Sequence, residues 1–124
     1  MKIMVIDDEK DVEVLFRQKF RKELRTSSFE FHFSFSAEEA LQYLTTNGTT
    51  NLILILSDIN MPGMNGLELL RIIRDRFPDA PKVFMITAYG DEESRQKAYQ
   101  YGCDDYITKP LDFNKLREKI LSVH

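Results

Sequence analysis

The sequence predicts a three-layer α/β domain, a doubly wound parallel sheet made of five strand–helix units. Short apolar runs alternate five times with amphipathic stretches, which is typical of parallel strands joined by crossover helices. The length of 124 residues suits one domain with a substantial core, so we expect residues 1–124 to form a single domain.

The boundaries of the elements follow from hydrophobic periodicity and from signals at the helix ends. Ser36 with Glu39, and Asn65 with Glu68, have the spacing of capping boxes, and Asp112 is placed to cap the last helix. We predict strands over residues 2–6, 29–35, 52–57, 82–86 and 104–108, and helices over residues 10–24, 36–46, 65–76, 91–101 and 113–123.

The first unit joins an apolar strand to a helix with one apolar face. That face comprises Val12, Leu15, Phe16 and Phe20. In the second strand, phenylalanines at positions 29, 31, 33 and 35 alternate with polar residues. We therefore expect only one face of this strand to be buried, as in an edge strand.

The third strand is apolar over residues 52–56, as expected of a central strand covered on both faces. A central third strand and an edge second strand fit the strand order 2-1-3-4-5, a flavodoxin-like order known from other doubly wound sheets. The remaining two strands, residues 82–86 and 104–108, each precede an amphipathic helix and complete the sheet. This order makes the first and third strands neighbours.

Three acidic residues stand at the carboxyl ends of these two neighbouring strands. Asp7 and Asp8 follow the first strand, and Asp58 ends the third strand just before a turn rich in Pro and Gly. Open α/β sheets bind their ligands at this edge. Because three adjacent carboxylates repel one another, we expect a cation to bind there.

The whole pattern resembles the receiver domain of two-component response regulators. The resemblance covers the entire chain and depends on four motifs, each at the end of its own strand. They are Val5–Glu9, Asp58–Gly66, Thr87–Ala88 and Asp105–Pro110.

The resemblance implies that Asp58 is the phosphoacceptor and that Mg²⁺, or Mn²⁺, assists its reaction. The implied metal ligands are Asp8 and one oxygen of Asp58 directly, Asp7 through water, and the backbone carbonyl of Asn60. Magnesium prefers such hard oxygen ligands.

The resemblance also implies roles for residues after the last two strands. Lys109, Thr87 and Ala88 are expected to bind the phosphoryl group, and the peptide bond before Pro110 is expected to be cis. Thr87 and Tyr106 are expected to form the switch that carries the signal outward.

The implied partners are proteins. A sensor histidine kinase or phosphotransfer protein would supply the phosphoryl group, and a downstream effector or a fused output domain would respond. The signal would leave through the face formed by residues 91–101, 104–108 and 113–123. In a dimer formed through this face, Arg95 would meet Lys115 of the other copy as a like-charge pair, although Asp105 could still pair with Lys119. We therefore expect a monomer or weak dimer.

Two other functions are less consistent with the residues. A magnesium-dependent phosphohydrolase acting through an aspartyl phosphate needs a second acid two residues after the nucleophile, and that position holds Asn60. We therefore expect that the protein is not an enzyme with an external substrate, and that it only phosphorylates itself and slowly loses the phosphoryl group. A flavin-binding module needs a phosphate-binding loop where this chain has Asp7, Asp8 and Glu9.

The composition argues against several classes of binding partner and location. The formal net charge of -3 argues against binding to nucleic acid or to an anionic membrane. The single cysteine excludes an internal disulfide, and no apolar run reaches membrane length. We therefore expect a cytoplasmic protein.

Overall fold

A computed structural model describes residues 1–123, and His124 lies outside the described residues. Five parallel strands form one sheet in the order β2-β1-β3-β4-β5, which confirms the predicted order and fold class. The strands are β1 Lys2–Ile6, β2 Glu30–Ser34, β3 Leu52–Asp58, β4 Lys82–Thr87 and β5 Asp105–Thr108. The helices are α1 Asp11–Lys19, α2 Arg21–Arg25, α3 Ala37–Asn47, α4 Gly66–Arg76, α5 Glu92–Gln100 and α6 Phe113–Val123.

The sheet lies between two helical layers, each with its own hydrophobic core. One core, between the sheet and helices α1 and α6, contains fully buried Ile3, Phe16, Phe20, Leu54 and Ile120. The other core, between the sheet and helices α3, α4 and α5, contains fully buried Met4, Leu44, Ile55, Leu69 and Met85. In residues 1–123, no helix combines the length and apolar composition that crossing a membrane requires.

The capping signals mark helix ends as the sequence predicts. The side chains of Ser36 and Asn65 each accept a hydrogen bond from the backbone N–H three residues later, at 3.0 Å. Asp112 Oδ1 accepts from the backbone N–H of Lys115 at 3.1 Å. These bonds satisfy N–H groups that have no partner within the helix.

Strand β2 lies at the edge of the sheet, as predicted, but the expectation of a single buried face is wrong. Phe29 and Phe31 face one core. On the opposite face the ring of His32 stacks on Tyr43 of α3, with ring centroids 3.7 Å apart, and Ser34 is buried. Helix α3 therefore covers a face whose polar residues suggested exposure to water.

The helix predicted over residues 10–24 is interrupted at Phe20. Phe20 has φ -110° and ψ 25°, outside the helical range, and it separates α1 from α2. At this point the carbonyl of Lys19 accepts a hydrogen bond from the guanidinium of Arg117 on α6, at 2.6 Å. A contact between elements distant in sequence thus provides a donor for the Lys19 carbonyl. In an uninterrupted helix that carbonyl would accept a hydrogen bond from the backbone N–H four residues later.

Arg74, near the end of α4, joins segments at the amino ends of β4 and β5. Its guanidinium donates to the carbonyl oxygens of Gly102 and Pro81, each at 3.0 Å, and to Asp104 Oδ2 at 2.9 Å. The same Asp104 oxygen accepts from the backbone N–H of Val83 at 2.9 Å. This network stabilises the end of the sheet opposite the acidic residues.

Candidate functional site

The candidate site lies at the carboxyl ends of the strands, where β1 and β3 are adjacent. Asp58 is the last residue of β3 and is 4% exposed, and Asp7 follows β1 and is 7% exposed. Asp8 is partly exposed at the mouth of the crevice. One carboxylate oxygen from each of the three residues lies within 4.8 Å of the other two. The predicted acidic cluster is therefore formed.

The surroundings of Asp58 disfavour its charged form. Burial, reinforced by the negative charge of Asp7, raises the pKa of Asp58 from 3.8 to about 6. The ammonium of Lys109 and a hydrogen bond from the backbone N–H of Asn60 act in the opposite direction. Asp58 is still mostly ionised at neutral pH, and additional positive charge beside it would stabilise that form.

In the absence of metal and at about pH 8, we expect the variant Asp58→Asn to be more stable than the wild type. Because the pKa of Asp58 is higher in the folded than in the unfolded chain, its contribution favours folding below about pH 4 and is lost as the pH rises past 6. A pKa raised from 3.8 to about 6 corresponds to on the order of 2–3 kcal/mol in the free energy of unfolding. Urea unfolding in the presence of a chelator measures this difference.

The pH dependence provides the internal control for this prediction. The advantage of Asp58→Asn should shrink to less than about 1 kcal/mol near pH 4, where the folded wild type carries a neutral Asp58. Asp75→Asn, at an exposed position on α4, should show no comparable gain at either pH. A difference between wild type and Asp58→Asn that does not depend on pH would contradict the explanation.

Lys109 supplies positive charge within the cluster. Its Nζ donates to Asp7 Oδ2 at 3.3 Å and lies 3.7 Å from Asp58 Oδ2. Burial lowers the pKa of Lys109, but Asp7 and Asp58 outweigh that effect and hold the pKa above its ordinary value. Lys109 therefore stays charged and offsets part of the negative charge of the two buried carboxylates. The peptide bond between Lys109 and Pro110 is cis.

The donor set fits Mg²⁺. Carboxylate oxygens are hard ligands, and the three side chains converge at a crevice that reaches water at Asp8. Asp7 Oδ1 already accepts from the backbone N–H of Glu9 at 2.9 Å, which fixes the orientation of that carboxylate. Magnesium retains several water ligands in proteins, so an open crevice with few protein oxygens suits it better than a closed cage.

Thr87, the last residue of β4, belongs to a hydrogen-bond network that the sequence analysis did not predict. Its buried hydroxyl donates to Asn60 Oδ1 at 2.8 Å, with the carbonyl oxygen of Tyr89 a second acceptor at 3.2 Å. The hydroxyl also accepts from the backbone N–H of Tyr89 at 3.0 Å. The hydroxyl of Tyr106 donates to the same Tyr89 carbonyl at 3.4 Å.

The outer rim of the site is open. Ala88 is exposed, and Tyr89 is 69% exposed, so both side chains at this rim reach solvent. Tyr106 is half-buried on β5.

Gly66 places the first turn of α4 directly against the backbone of Asp58. Its N–H donates to the carbonyl of Ile59 at 2.9 Å. A Cβ atom added at Gly66 would lie 2.1 Å from the carbonyl oxygen of Asp58, far inside van der Waals contact. The absence of a side chain at Gly66 is therefore a condition for this packing.

An apolar cavity of about 270 Å³ opens beside the carboxylates, between α1 and the segment after β5. Its walls include Val12, Leu15, Pro110 and Phe113, and its floor reaches Asp58. Val14 and Leu15 of α1 are also exposed, at 59% and 39%. The approach to Asp58 from this side is thus mostly apolar, with charged groups only near the carboxylates.

The face formed by α5, β5 and α6 carries charges that are largely paired within the chain. Lys119 forms an ion pair with Asp105, and Arg95 lies 3.7 Å from Glu92 of its own helix. The guanidinium of Arg95 also lies over the ring of Tyr99. Asp105 and Lys119, which the sequence analysis considered for contacts between copies, thus pair inside one chain.

Comparison with known proteins identifies relatives that match nearly the whole chain. Residues 3–121 match the family model described as the response regulator receiver domain. The chain is 34% identical over 119 residues to the response regulator protein FleR of Pseudomonas aeruginosa, covering 96% of this chain and 24% of FleR. It is 34% identical over 122 residues to the transcriptional regulatory protein ResD of Bacillus subtilis, covering 98% of this chain and 46% of ResD. The chain thus spans about a quarter of the length of FleR and less than half of the length of ResD.

Solved structures agree with this match. A response regulator receiver domain protein (CheY-like) from Methanospirillum hungatei superposes with a TM-score of 0.84 at 29% identity, covering 98% of this chain and 90% of that chain. A structure of the CheX–CheY–BeF₃–Mg²⁺ complex from Borrelia burgdorferi gives a TM-score of 0.84 at 29% identity, covering 99% of this chain and 88% of the matched chain.

Proposed function

The chain belongs to the family of response regulator receiver domains, and on that premise we propose that Asp58 is the phosphoacceptor of a signalling switch. The observation that carries the proposal is the position of Asp58, buried at the end of β3 beside two further carboxylates and the ammonium of Lys109. We take residues 1–124 as one receiver domain.

In the proposed reaction, a carboxylate oxygen of Asp58 attacks the phosphorus of a phosphohistidine or of a small acyl phosphate. The new bond joins that oxygen to phosphorus, and the bond from phosphorus to the nitrogen or oxygen of the donor breaks. The attacking carboxylate must be ionised. Lys109, whose Nζ is 3.7 Å from Asp58 Oδ2, would turn toward the transferred group and neutralise part of its charge.

We propose that Asp7, Asp8, Asp58 and the backbone carbonyl of Asn60 hold Mg²⁺, or Mn²⁺, during this reaction. A divalent ion at this position neutralises charge on the phosphoryl oxygens. The convergence of the three carboxylates supports the assignment, as does the presence of BeF₃ and Mg²⁺ in the related Borrelia burgdorferi complex.

Magnesium should raise the thermal unfolding midpoint of the protein, because a ligand that binds the folded chain stabilises it by mass action. At a free Mg²⁺ concentration of about 100 times the dissociation constant, the free energy of unfolding should rise by roughly 2.7 kcal/mol. Differential scanning fluorimetry across a Mg²⁺ series measures the corresponding gain in the unfolding midpoint. Asp8→Ala should reduce it strongly, whereas Asp75→Ala, remote and exposed on α4, should keep it. Equal responses from the two variants would exclude Asp8 as a ligand.

The proposed function is tested most directly with acetyl phosphate, a small phosphodonor that needs no kinase. With Mg²⁺ present, the intact protein should gain one phosphoryl group, which mass spectrometry detects. Removal of Mg²⁺ by a chelator should prevent the reaction. A protein that stays unmodified while it binds Mg²⁺ would contradict the proposal.

The alternative of a phosphohydrolase receives no support from the site. The position two residues after Asp58 holds Asn60, whose amide cannot act as a general acid or base. The oxygen of that amide already accepts a hydrogen bond from Thr87. We infer that the domain phosphorylates itself and loses the phosphoryl group slowly, without turnover of external substrates.

We propose that a sensor histidine kinase or phosphotransfer protein docks over the apolar cavity beside Asp58. Exposed Leu15 offers apolar contact there, and Asp58 is part of the cavity lining, which gives a donor side chain access to it. A downstream effector or a fused output domain would receive the signal, which is consistent with the greater length of relatives such as FleR. We place these events in the cytoplasm and expect the domain to be a monomer or weak dimer.

The signal is proposed to pass from Thr87 through Tyr106 to the face formed by α5, β5 and α6. Beryllofluoride, which stands in for the phosphoryl group, should therefore change backbone amide NMR shifts at Tyr106 and at Lys119 as well as around Asp58. Thr87→Val, which removes the hydroxyl at nearly constant volume, should confine the changes to the loops around Asp58. Remote changes that persist in Thr87→Val would exclude this route.

A further inference from the structure

The side chain of Asn60 makes a contact that the proposed function does not use. That function assigns only the backbone carbonyl of Asn60 to the metal, yet its side-chain oxygen accepts the Thr87 hydroxyl proton at 2.8 Å. Thr87 is 1% exposed, so water does not compete freely for this hydrogen bond. Asn60 follows β3 and Thr87 ends β4, and these neighbouring strands hold the two side chains face to face.

We propose that the Asn60 side chain is a latch that holds the Thr87 hydroxyl in its unphosphorylated arrangement. The inference rests on the proposed function, in which Thr87 donates to the phosphoryl group on Asp58. A hydroxyl carries one proton and makes one strong donated hydrogen bond. Thr87 must therefore release Asn60 before it can donate to a phosphoryl oxygen. Asn60 is a positioning residue that opposes the switched state.

The latch extends to the surface through the backbone of Tyr89. The Thr87 hydroxyl accepts from the N–H of Tyr89 and lies 3.2 Å from its carbonyl oxygen. That carbonyl also accepts from the Tyr106 hydroxyl at 3.4 Å. A turn of Thr87 toward Asp58 would break its contacts with the peptide groups of Tyr89, and Tyr106 would lose a fixed partner. The contact with Asn60 therefore restrains Tyr106 as well as Thr87.

The chemistry of asparagine suits this role. Its amide oxygen is a neutral acceptor, so it holds the hydroxyl without adding a fourth negative charge to the cluster. A net hydrogen bond of about 0.5–1.5 kcal/mol corresponds to roughly a 2- to 12-fold change in an equilibrium constant. The latch is thus strong enough to bias the switch and weak enough for phosphorylation to overcome.

The test uses Asn60→Leu, which keeps the size of the side chain and the backbone carbonyl but removes the acceptor oxygen. Beryllofluoride is titrated at saturating Mg²⁺, and binding is followed by backbone amide NMR. We expect Asn60→Leu to bind beryllofluoride roughly fivefold more tightly than wild type, which is the effect of losing one net hydrogen bond. Its spectrum without beryllofluoride should already be displaced at Tyr89 and Tyr106 toward the beryllofluoride-bound positions of wild type.

A second background tests whether the effect passes through Thr87. In Thr87→Val, which has no hydroxyl to hold, adding Asn60→Leu should leave beryllofluoride affinity unchanged. Magnesium affinity is measured for each variant without beryllofluoride, so that every beryllofluoride titration is made at a Mg²⁺ concentration that saturates that variant. Asn60→Ala provides the same comparisons if leucine is not accommodated.

The outcomes separate the latch from the function on which it rests. Equal beryllofluoride affinities of wild type and Asn60→Leu, or equal tightening in the Thr87→Val background, would overturn the latch and leave the proposed function intact. If wild type does not bind beryllofluoride with Mg²⁺, the proposed function fails. The spectra without beryllofluoride then decide on the latch, because unchanged Thr87 and Tyr89 amides in Asn60→Leu would show that the hydrogen bond restrains nothing.

Discussion

Replacing Asp58 with asparagine is expected to abolish phosphorylation of the domain. The amide of asparagine keeps the shape of the side chain but is a very weak nucleophile, so no bond to phosphorus should form. Within residues 1–123, the two carboxylates nearest to Asp58 are not placed to substitute for it, because Asp7 is bound to Lys109 and to the N–H of Glu9, and Asp8 is at the mouth of the crevice. After incubation with acetyl phosphate and Mg²⁺, mass spectrometry should find Asp58→Asn unmodified.

The matched control is Asp75→Asn, the same chemical change at an exposed position on α4. It should be labelled at the wild-type rate. The Asp58→Asn protein must also show cooperative unfolding, which confirms that it is folded. Labelling of folded Asp58→Asn at the wild-type rate would place the nucleophile at another residue.

Lys109→Ala is expected to have the second-largest effect, because it removes a cation that lies beside both buried carboxylates. The removal of a preorganised electrostatic stabiliser commonly costs about 100- to 1,000-fold in rate, and we expect a decrease of that order in labelling by acetyl phosphate. Without metal, Asp7 and Asp58 would also lose their counter-ion. The free energy of unfolding should fall by on the order of 2 kcal/mol, less than for a fully buried pair because Lys109 is partly exposed.

Two substitutions control this prediction. Lys115→Ala removes an exposed lysine from α6 and should change neither the labelling rate nor the stability appreciably. Lys109→Arg keeps the positive charge but replaces a compact ammonium with a broad planar group, so it should recover stability better than labelling. Wild-type labelling by Lys109→Ala would remove Lys109 from the reaction.

The features that follow from strand periodicity were predictable from the sequence. Apolar runs define the strands, and a parallel sheet brings their carboxyl ends to one edge. The positions of Asp7, Asp8 and Asp58 at the ends of adjacent strands therefore indicate the cluster from the sequence alone. Helix caps such as Ser36 were equally predictable, since a cap and its N–H partner lie three residues apart in the chain.

The features that depend on contacts between distant segments were not predictable from local pattern. The break at Phe20 coincides with a hydrogen bond from Arg117, 98 residues after its acceptor Lys19. The second face of β2 is covered because a tyrosine of α3 stacks on His32. The strand order does bring Asn60 and Thr87 to one edge, but periodicity does not indicate which rotamers their side chains adopt.

The close packing of Gly66 on Asp58 has a consequence for how this chain can vary through mutation. Any other amino acid at position 66 would force a Cβ atom against the Asp58 carbonyl and the Cα atom of Ile59, both of which are backbone and cannot swing aside. Such a change would move the start of α4 and the phosphoacceptor together. Substitutions elsewhere in the loop do not bring an atom into this contact, whereas an exchange at position 66 is inherited as a defect in the geometry of Asp58 itself.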